Sequence, residues 1–310
     1  MRTLERIANG IIAFGRRHLA GTRLENSALT RFFFTRIVRL SYGDRERIAE
    51  YQGIRLALPT ADVAMTPAIL AGYYERLELD VFRYACRRAR IVIDAGGNAG
   101  LYAIVAASLL PETGEVHSFE PVPENVARLE RNLALNEALV RPKVVVHASA
   151  LGASVGDLTI YLADAGISRH SAAASQSRGT RTVVAPMTTV DAFVTGSGLR
   201  PDVLKIDVEG YDGYVVRGAL ATLRDCKPTV LVEYAPDALR HCGFEPGELL
   251  DDLFDVYGIG YRIDEIGRSI VPSDKAALAR LAGPAVTNLV FTDDDALALA
   301  MTEDALGSDG

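Results

Sequence analysis

Cysteine is scarce in this 310-residue chain, with Cys86, Cys226 and Cys242 the only three. An odd, scattered set without Cys-x-x-Cys spacing is neither a disulfide framework nor a zinc site. Long hydrophobic runs are also missing. Nowhere do about 18 apolar residues follow one another, so the sequence offers no membrane-spanning helix. Near the start the longest apolar stretch is Ile11–Phe14, too short for the core of a secretion signal. The expected compartment is the cytoplasm. Glycine and proline are scattered rather than periodic, which excludes collagen-like and low-complexity chains. Lysine supplies only four of the 33 basic residues. Such a bias follows genome composition, and no function is read from it.

What is present is an ordinary globular balance, 49% apolar and 24% charged residues, which excludes a wholly disordered chain. The length suits one large α/β domain with an extension, or two small domains. The net charge of −7 is unevenly spread. Residues 1–47 hold ten arginines against four acids, a local +6, and the remainder carries −13. Residues 293–310 contain six acids and no base. These contrasts divide the chain into a basic helical head at 1–50, a main domain at 51–295 and an acidic, disordered tail at 296–310.

Within the head, Leu4, Ile7, Ala8, Ile11, Ile12 and Leu19 share one helical face, and the segment RFFFTRIVRL follows at 31–40. The favoured reading is a helical extension packed on the main domain or on a second copy of the chain. The sharper one is an interfacial helix held to an anionic membrane by Arg and Phe.

Residues 51–62 alternate as a strand, and 66–89 have helical character. From Arg90 onward, short apolar runs alternate with helical stretches. Strands are expected at 91–95, 115–119, 143–147, 203–207 and 229–234, with closing strands at 259–263 and 285–291. A polar insertion with its own strand pairs covers 151–190. Repeated β-α-β units imply an α/β fold with a mostly parallel, doubly wound sheet. Ligands of such sheets sit at the carboxyl ends of the strands.

The first of these ends reads Asp94-Ala95-Gly96-Gly97-Asn98-Ala99-Gly100. Glycines there let the chain turn tightly and let a ligand approach the backbone. The run misses the dinucleotide pattern Gly-x-Gly-x-x-Gly, because Asn98 falls where its second glycine belongs. It fits Asp-x-Gly-x-Gly-x-Gly better, with Asn98 at the middle glycine. An acid closing the strand suits a cationic ligand, so Asp94 is expected to face S-adenosylmethionine or to order the loop around it. Glu120 ends the next strand, where a carboxylate accepts both ribose hydroxyls of a nucleoside. Ser149 and Ala150, after the third strand, suit an adenine edge, although a plain turn reads almost as well.

The run VLKIDVEG at 203–210 is unusual. Extended backbone would put Lys205, Asp207 and Glu209 on one face of a strand otherwise built for burial. Buried charge needs partners or a ligand. A structural Lys205–Glu233 pair is one reading, and a catalytic floor to a cofactor pocket is the other. His170, in a polar segment of small residues, is a weaker candidate for the base. His18, His117, His147 and His241 have no constellation around them, and no metal-ligand spacing stands out.

Together DAGGNAG, FEPVPENVARLERNLALN, DVLKIDVEGYDGYVVRGA and PTVLVEY resemble the FkbM family of S-adenosylmethionine-dependent methyltransferases, over roughly residues 70–292. GYYE at 72–75 resembles the family's Gly-x-Tyr-Glu. Gly97 and Asp212 depart from the family's usual Ala and Glu. The resemblance implies a class I methyltransferase fold, Rossmann-like, with seven strands of which the last is antiparallel. It also implies O-methylation of a hydroxyl on a small molecule, sugar, natural product or glycolipid. The cofactor-binding set is then Asp94, Gly96, Gly97, Asn98, Gly100, Glu120, Ser149, Ala150 and Asp207. The catalytic set is Asp207, Glu209, Lys205 and His170, with no metal. Methylation of nitrogen or carboxylate, an NAD-dependent oxidoreductase and a non-enzymatic nucleoside-binding module are the alternatives. The acidic body has no basic stripe with interleaved aromatics, so nucleic acid is a poor partner. A homo-oligomer is compatible with the head.

Overall fold

The computed structural model describes residues 46–60, 62, 65–162, 181–281, 286–303 and 306, with 10, 11 and 36. Almost all of the basic head, its expected helices included, lies outside the described residues, as does His170. Among the described residues, no helix is long and apolar enough to cross a membrane.

The chain enters as a hairpin, β1 (Glu46–Tyr51) and β2 (Ile54–Pro59), so strand structure begins inside the segment expected to be a helical head. Gln52 and Gly53 both take left-handed φ, as a two-residue hairpin turn demands. Two helices follow, α1 (Met65–Ala71) and α2 (Arg76–Cys86), where one was expected. The break falls at GYYE, with Gly72 and Glu75 at positive φ.

The main body then alternates as its periodicity foretold: β3 (Ile91–Ala95), α3 (Leu101–Leu109), β4 (Glu115–Phe119), α4 (Pro123–Leu135) and β5 (Lys143–His147). The insertion forms a small sheet from β6 (Ala150–Leu151), β7 (Gly156–Tyr161) and β8 (Thr182–Thr188), in the order β6-β8-β7. Next come α5 (Val190–Ser197), β9 (Val203–Ile206), α6 (Asp212–Arg217), α7 (Leu220–Cys226) and β10 (Thr229–Tyr234). The chain closes with α8 (Pro236–His241), α9 (Pro246–Phe254), β11 (Gly260–Asp264), β12 (Ser269–Ser273), α10 (Lys275–Ala279), β13 (Thr287–Phe291) and α11 (Asp295–Thr302).

The large sheet has the order β12-β11-β13-β10-β9-β3-β4-β5. Strands β3, β4, β5, β9 and β10 are mutually parallel, and β13 runs antiparallel to β10 and β11. That is the expected doubly wound arrangement, extended by one antiparallel edge strand, β12. Val92, Ile93 and Ala95 of β3 and Val203, Leu204 and Ile206 of β9 are buried, as central parallel strands covered on both faces must be.

Two asparagines dock the hairpin. Asn132 accepts from the Ala57 N–H (2.7 Å), and Asn136 accepts from the Arg55 N–H (2.8 Å) and donates to its carbonyl (2.7 Å). Four residues along a helix rise about 6 Å, close to the rise of two residues along a strand. Side chains at 132 and 136 therefore satisfy β2 as a neighbouring strand would.

The tail departs from the expected disorder. Asp294 accepts from the N–H groups of Ala296 (2.9 Å) and Leu297 (3.2 Å), capping α11. Leu297, Ala300 and Met301 are buried beneath it. The acids at 293–295 serve a helix start, where the helix dipole favours them.

Candidate functional site

The glycine loop after β3 is wedged between two strands. Gly96 and Gly97 N–H groups both donate to the Phe119 carbonyl of β4 (2.9 and 3.0 Å). A Cβ on Gly96 would stand 1.9 Å from the backbone oxygen of Asp207, and one on Gly97 would stand 2.2 Å from Ser118 Oγ. Asn98 has φ 45°, so the position occupied by a glycine in the expected pattern does need a left-handed residue. Asparagine tolerates that conformation better than other side chains.

Glu120 closes β4 and locks this loop. Its carboxylate accepts from the Asn98 N–H (2.9 Å) and the Val122 N–H (2.8 Å). Burial pushes its pKa up to about 7, and those hydrogen bonds pull against the rise. Asp94 lies deeper. It accepts from Ser118 Oγ (2.8 Å), is 2% exposed and does not line the cavity described next. Burial lifts it to about 6, opposed by the Ser118 bond. Its position, beneath the cavity and bonded to Ser118 of β4, does not bring it to the lining.

Beside the loop is a cavity of about 650 Å³, within the size range of small-ligand sites. Its lining includes Gly96–Ala99, Glu120, Val122, Asn125, Leu158 and Ile160, the last two from the insertion sheet. Ala150 lines it too, whereas Ser149 and Gly100 do not. Gly100 instead starts α3 at φ 85°.

Asp207, whose backbone abuts Gly96, and Glu209 line the same cavity. Strand pairing stops at Ile206, and Glu209 and Gly210 take left-handed φ. The simple alternation expected for Lys205, Asp207 and Glu209 therefore holds only to Asp207. Asp212 builds the turn by accepting from the Val208 N–H (3.1 Å) and the Gly210 N–H (3.0 Å). Burial and the nearby Asp207 charge push its pKa up to about 7.

Lys205 is buried, 1% exposed, and does not line the cavity. Its main partner is Glu78 of α2, not Glu233: Nζ stands 3.0 Å from Glu78 Oε1 and 3.4 Å from Asp207 Oδ2. The ammonium also sits 4.7 Å over the Tyr102 ring. Burial alone would lower Lys205, but Glu78, Asp207 and Glu75 hold it well above its ordinary value. Asn288 Nδ2 donates to the other Glu78 oxygen, and the Glu78 N–H donates to Glu265 Oε1 (2.8 Å).

Sequence reasoning left several lining residues out of the site. Glu75, in the break between α1 and α2, accepts from Tyr102 Oη (2.9 Å) and lines the cavity. Burial and the charges of Glu78 and Asp207 raise it well above the carboxylate range. GYYE was the signal available for it. Glu233, Arg262 and Glu265 line the cavity too. The histidines hold another surprise: His117 Nδ1 and His147 Nε2 are 3.1 Å apart, with Glu115 3.2 Å from His117 Nε2. His147 stacks on Phe119, which lines the cavity, and both rings meet Phe193 at steep angles, but neither histidine lines the cavity itself.

A model of the FkbM methyltransferase domain matches residues 94–262. The chain belongs to the FkbM family of S-adenosylmethionine-dependent methyltransferases. Its sheet has the α/β, mostly parallel arrangement with an antiparallel strand that the resemblance implied. Among solved structures it is similar to methyltransferase FkbM from Methylobacillus flagellatus KT, at 14% identity and TM-score 0.41, over 66% of this chain and 43% of that one. It is also similar to cofactor-bound Rv0187 from MTB, at 15% identity and TM-score 0.39, over 71% and 79% of the two chains. A third is the O-methyltransferase TomG from Streptomyces achromogenes, in complex with SAM, at 11% identity and TM-score 0.39, over 69% and 79%. No curated protein matches the chain.

The residues present fit the cofactor. Glu120, an acid at a strand end, is in the lining with the glycine loop, and the lining is rich in carboxylates, which suits a nucleoside carrying a sulfonium.

Proposed function

We propose that this methyltransferase transfers the methyl group of S-adenosylmethionine to a hydroxyl of a small molecule. The observation that carries the reading is the cavity itself, which has the glycine loop, Glu120, Asp207 and Glu209 in one lining. Glu120, Asn98 and the glycine loop would hold the nucleoside. Bound S-adenosylmethionine supplies an already activated methyl group, so the protein's task is chiefly alignment, worth about 7–11 kcal/mol of barrier.

A hydroxyl must lose its proton as it gains the methyl, and a positioned base adds roughly 10²–10⁴-fold. In this reading Asp207 and Glu209, both in the cavity lining, orient that hydroxyl and accept its proton. Lys205 acts from behind, as a positioning residue that fixes Asp207. A carboxylate acceptor fits poorly, because it would meet Asp207, Glu209 and Glu233 at close range.

Calorimetry tests the cofactor half. S-adenosylmethionine should bind the full chain, and Glu120→Ala should abolish binding. Normal binding by the variant would sink the assignment of Glu120. For the acceptor half, a cell extract treated with enzyme and labelled cofactor should yield a product heavier by one methyl group and stable to mild base. A base-labile methyl ester would overturn the hydroxyl reading.

A further inference from the structure

Backbone register gives the cavity an internal order. Ala95 of β3 pairs with Phe119 of β4 and with Ile206 of β9, and Ile206 pairs with Val232 of β10. One residue further on, the Gly96 N–H donates to the Phe119 carbonyl (2.9 Å) and the Asp207 N–H to the Ala95 carbonyl (3.0 Å). Glu120, Gly96, Asp207 and Glu233 therefore stand side by side. Glu233 pairs in turn with Asn288 of β13, and Asn288 with Ile263 of β11. All six line the cavity. Neighbouring strands lie about 4.8 Å apart. Asp207 is thus two spacings, about 10 Å, from Glu120, and three spacings, about 14 Å, from Ile263.

Past Ile263 the lining turns apolar. Ile266 lies in the turn after β11 and Val286 just before β13. The antiparallel register carried outward from Ile263 and Asn288 makes them neighbours, on the side where the parallel strands end. Both line the cavity, yet Ile266 is 54% exposed and Val286 50%. A single exposed hydrophobic side chain is an ordinary surface feature. Two adjacent ones in the lining of one cavity, across the row from the glycine loop, are apolar surface that a ligand of that cavity can cover.

Resting on the hydroxyl-methylation reading above, we propose that Ile266 and Val286 receive the apolar tail of the acceptor. The acceptor is then an amphiphile, with its reacting hydroxyl at Asp207 and an alkyl or aryl tail about 14 Å away. The cofactor does not account for this pair, because its nucleoside is assigned to Glu120 and the glycine loop, on the other side of Asp207. The stretch between, Glu233 and Asn288, is polar and suits a head group with further hydroxyls. A compact polar acceptor would fill the row only as far as Asn288 and leave the apolar pair in water. An amphiphile covers it, and its tail contributes to binding without touching the reacting atoms.

The test is calorimetry on the full-length protein, first with S-adenosylhomocysteine and then, with that site filled, with methyl, hexyl and octyl β-glucoside below their micelle concentrations. Each methylene withdrawn from water is worth about fourfold in affinity. Octyl glucoside should therefore bind about tenfold or more tightly than methyl glucoside, with hexyl glucoside between them. The double variant Ile266→Ser, Val286→Ser should cut that advantage to about threefold or less. Its affinity for S-adenosylhomocysteine should stay within about twofold, which also shows that it is folded. Affinity independent of tail length, absence of binding by every glucoside included, overturns the proposal; so it would be if a second copy of the chain covered this pair. An advantage that survives in the double variant overturns it too, by placing the tail elsewhere. Failure of S-adenosylhomocysteine to bind the wild type overturns the cofactor reading instead.

Discussion

Replacing Lys205 with methionine separates a structural lysine from a catalytic one. The side chain keeps similar length and loses its charge. Glu78, with no exposed surface, then keeps Asn288 but loses the ammonium at 3.0 Å. Breaking one side of a buried pair typically costs about 3–5 kcal/mol. Here the cost has a ceiling, because Glu78 can take a proton instead of staying charged. Its ordinary value is 4.5, and burial raises it while Lys205 lowers it. Holding a proton on such a group at pH 7 costs about 3.4 kcal/mol, at about 1.36 kcal/mol per pH unit. At pH 5 the same cost falls to about 0.7 kcal/mol. The destabilisation should therefore shrink as the pH is lowered, with a small residue from lost packing and the lost Asp207 contact.

The assay is urea unfolding of wild type and Lys205→Met at pH 7 and pH 5. Adding Glu78→Gln should recover most of the loss at pH 7, since the amide still accepts from Asn288 and carries no charge. With Glu78→Gln alone as the fourth species, the double-mutant cycle then gives the coupling between the two positions. A loss equal at both pH values, or no recovery in the double variant, would refute the assignment of Glu78 as the partner. A Lys205→Met protein as stable as wild type at pH 7 would move Lys205 into the chemistry after all.

Three further outcomes follow from the geometry. Asn132→Ala should destabilise by about 2–4 kcal/mol in urea, because it strands the buried Ala57 N–H and the Ala99 carbonyl, which now have partners at 2.7 and 2.8 Å; a change under about 0.5 kcal/mol would mean the hairpin is held otherwise. Gly96→Ala should abolish cofactor binding in calorimetry and lower the melting temperature, since its Cβ meets the Asp207 carbonyl at 1.9 Å from a left-handed backbone. Glu120 titrates at about 7 in the fold against 4.5 when free, so the native state holds the extra proton. Its contribution to stability is then lost as pH rises from about 4.5 to 7, and Glu120→Gln should gain stability relative to wild type across that window; parallel stability curves would contradict the sign.

The parallel strands were legible because burial on both faces forces continuous apolar runs such as IVIDA and VLVEY. The loop was legible because glycine and asparagine are the residues that accept positive φ, and Asn98 duly sits at 45°. Glu75 was not. It lies in a window whose apolar spacing reads as one helix, and only its left-handed φ of 43° turns the carboxylate toward the cavity. The tail misled for a related reason. Six acids without a base resemble a solvated terminus, yet Asp294 is a cap and Leu297, Ala300 and Met301 are its buried face.

Lys205 and Asp207 show where periodicity stops being informative. Two residues apart in extended backbone, they face the same way, and their 3.4 Å contact agrees with that. Facing alone does not fix depth. Lys205 is still inside the sheet, paired in register with Asp94 of β3 and Leu231 of β10, so its ammonium must be neutralised by protein. Asp207 lies just past Ile206, where strand pairing ends and the chain lifts off the sheet. Its carboxylate is 29% exposed and lines the cavity. A charged residue one step inside the strand end has to be balanced by the fold, here through Glu78 from a helix far away in sequence. One a step beyond it can be balanced by a ligand. The end of strand pairing, more than residue type, separates the charge in this run that the fold must balance from the charge that a ligand in the cavity can reach.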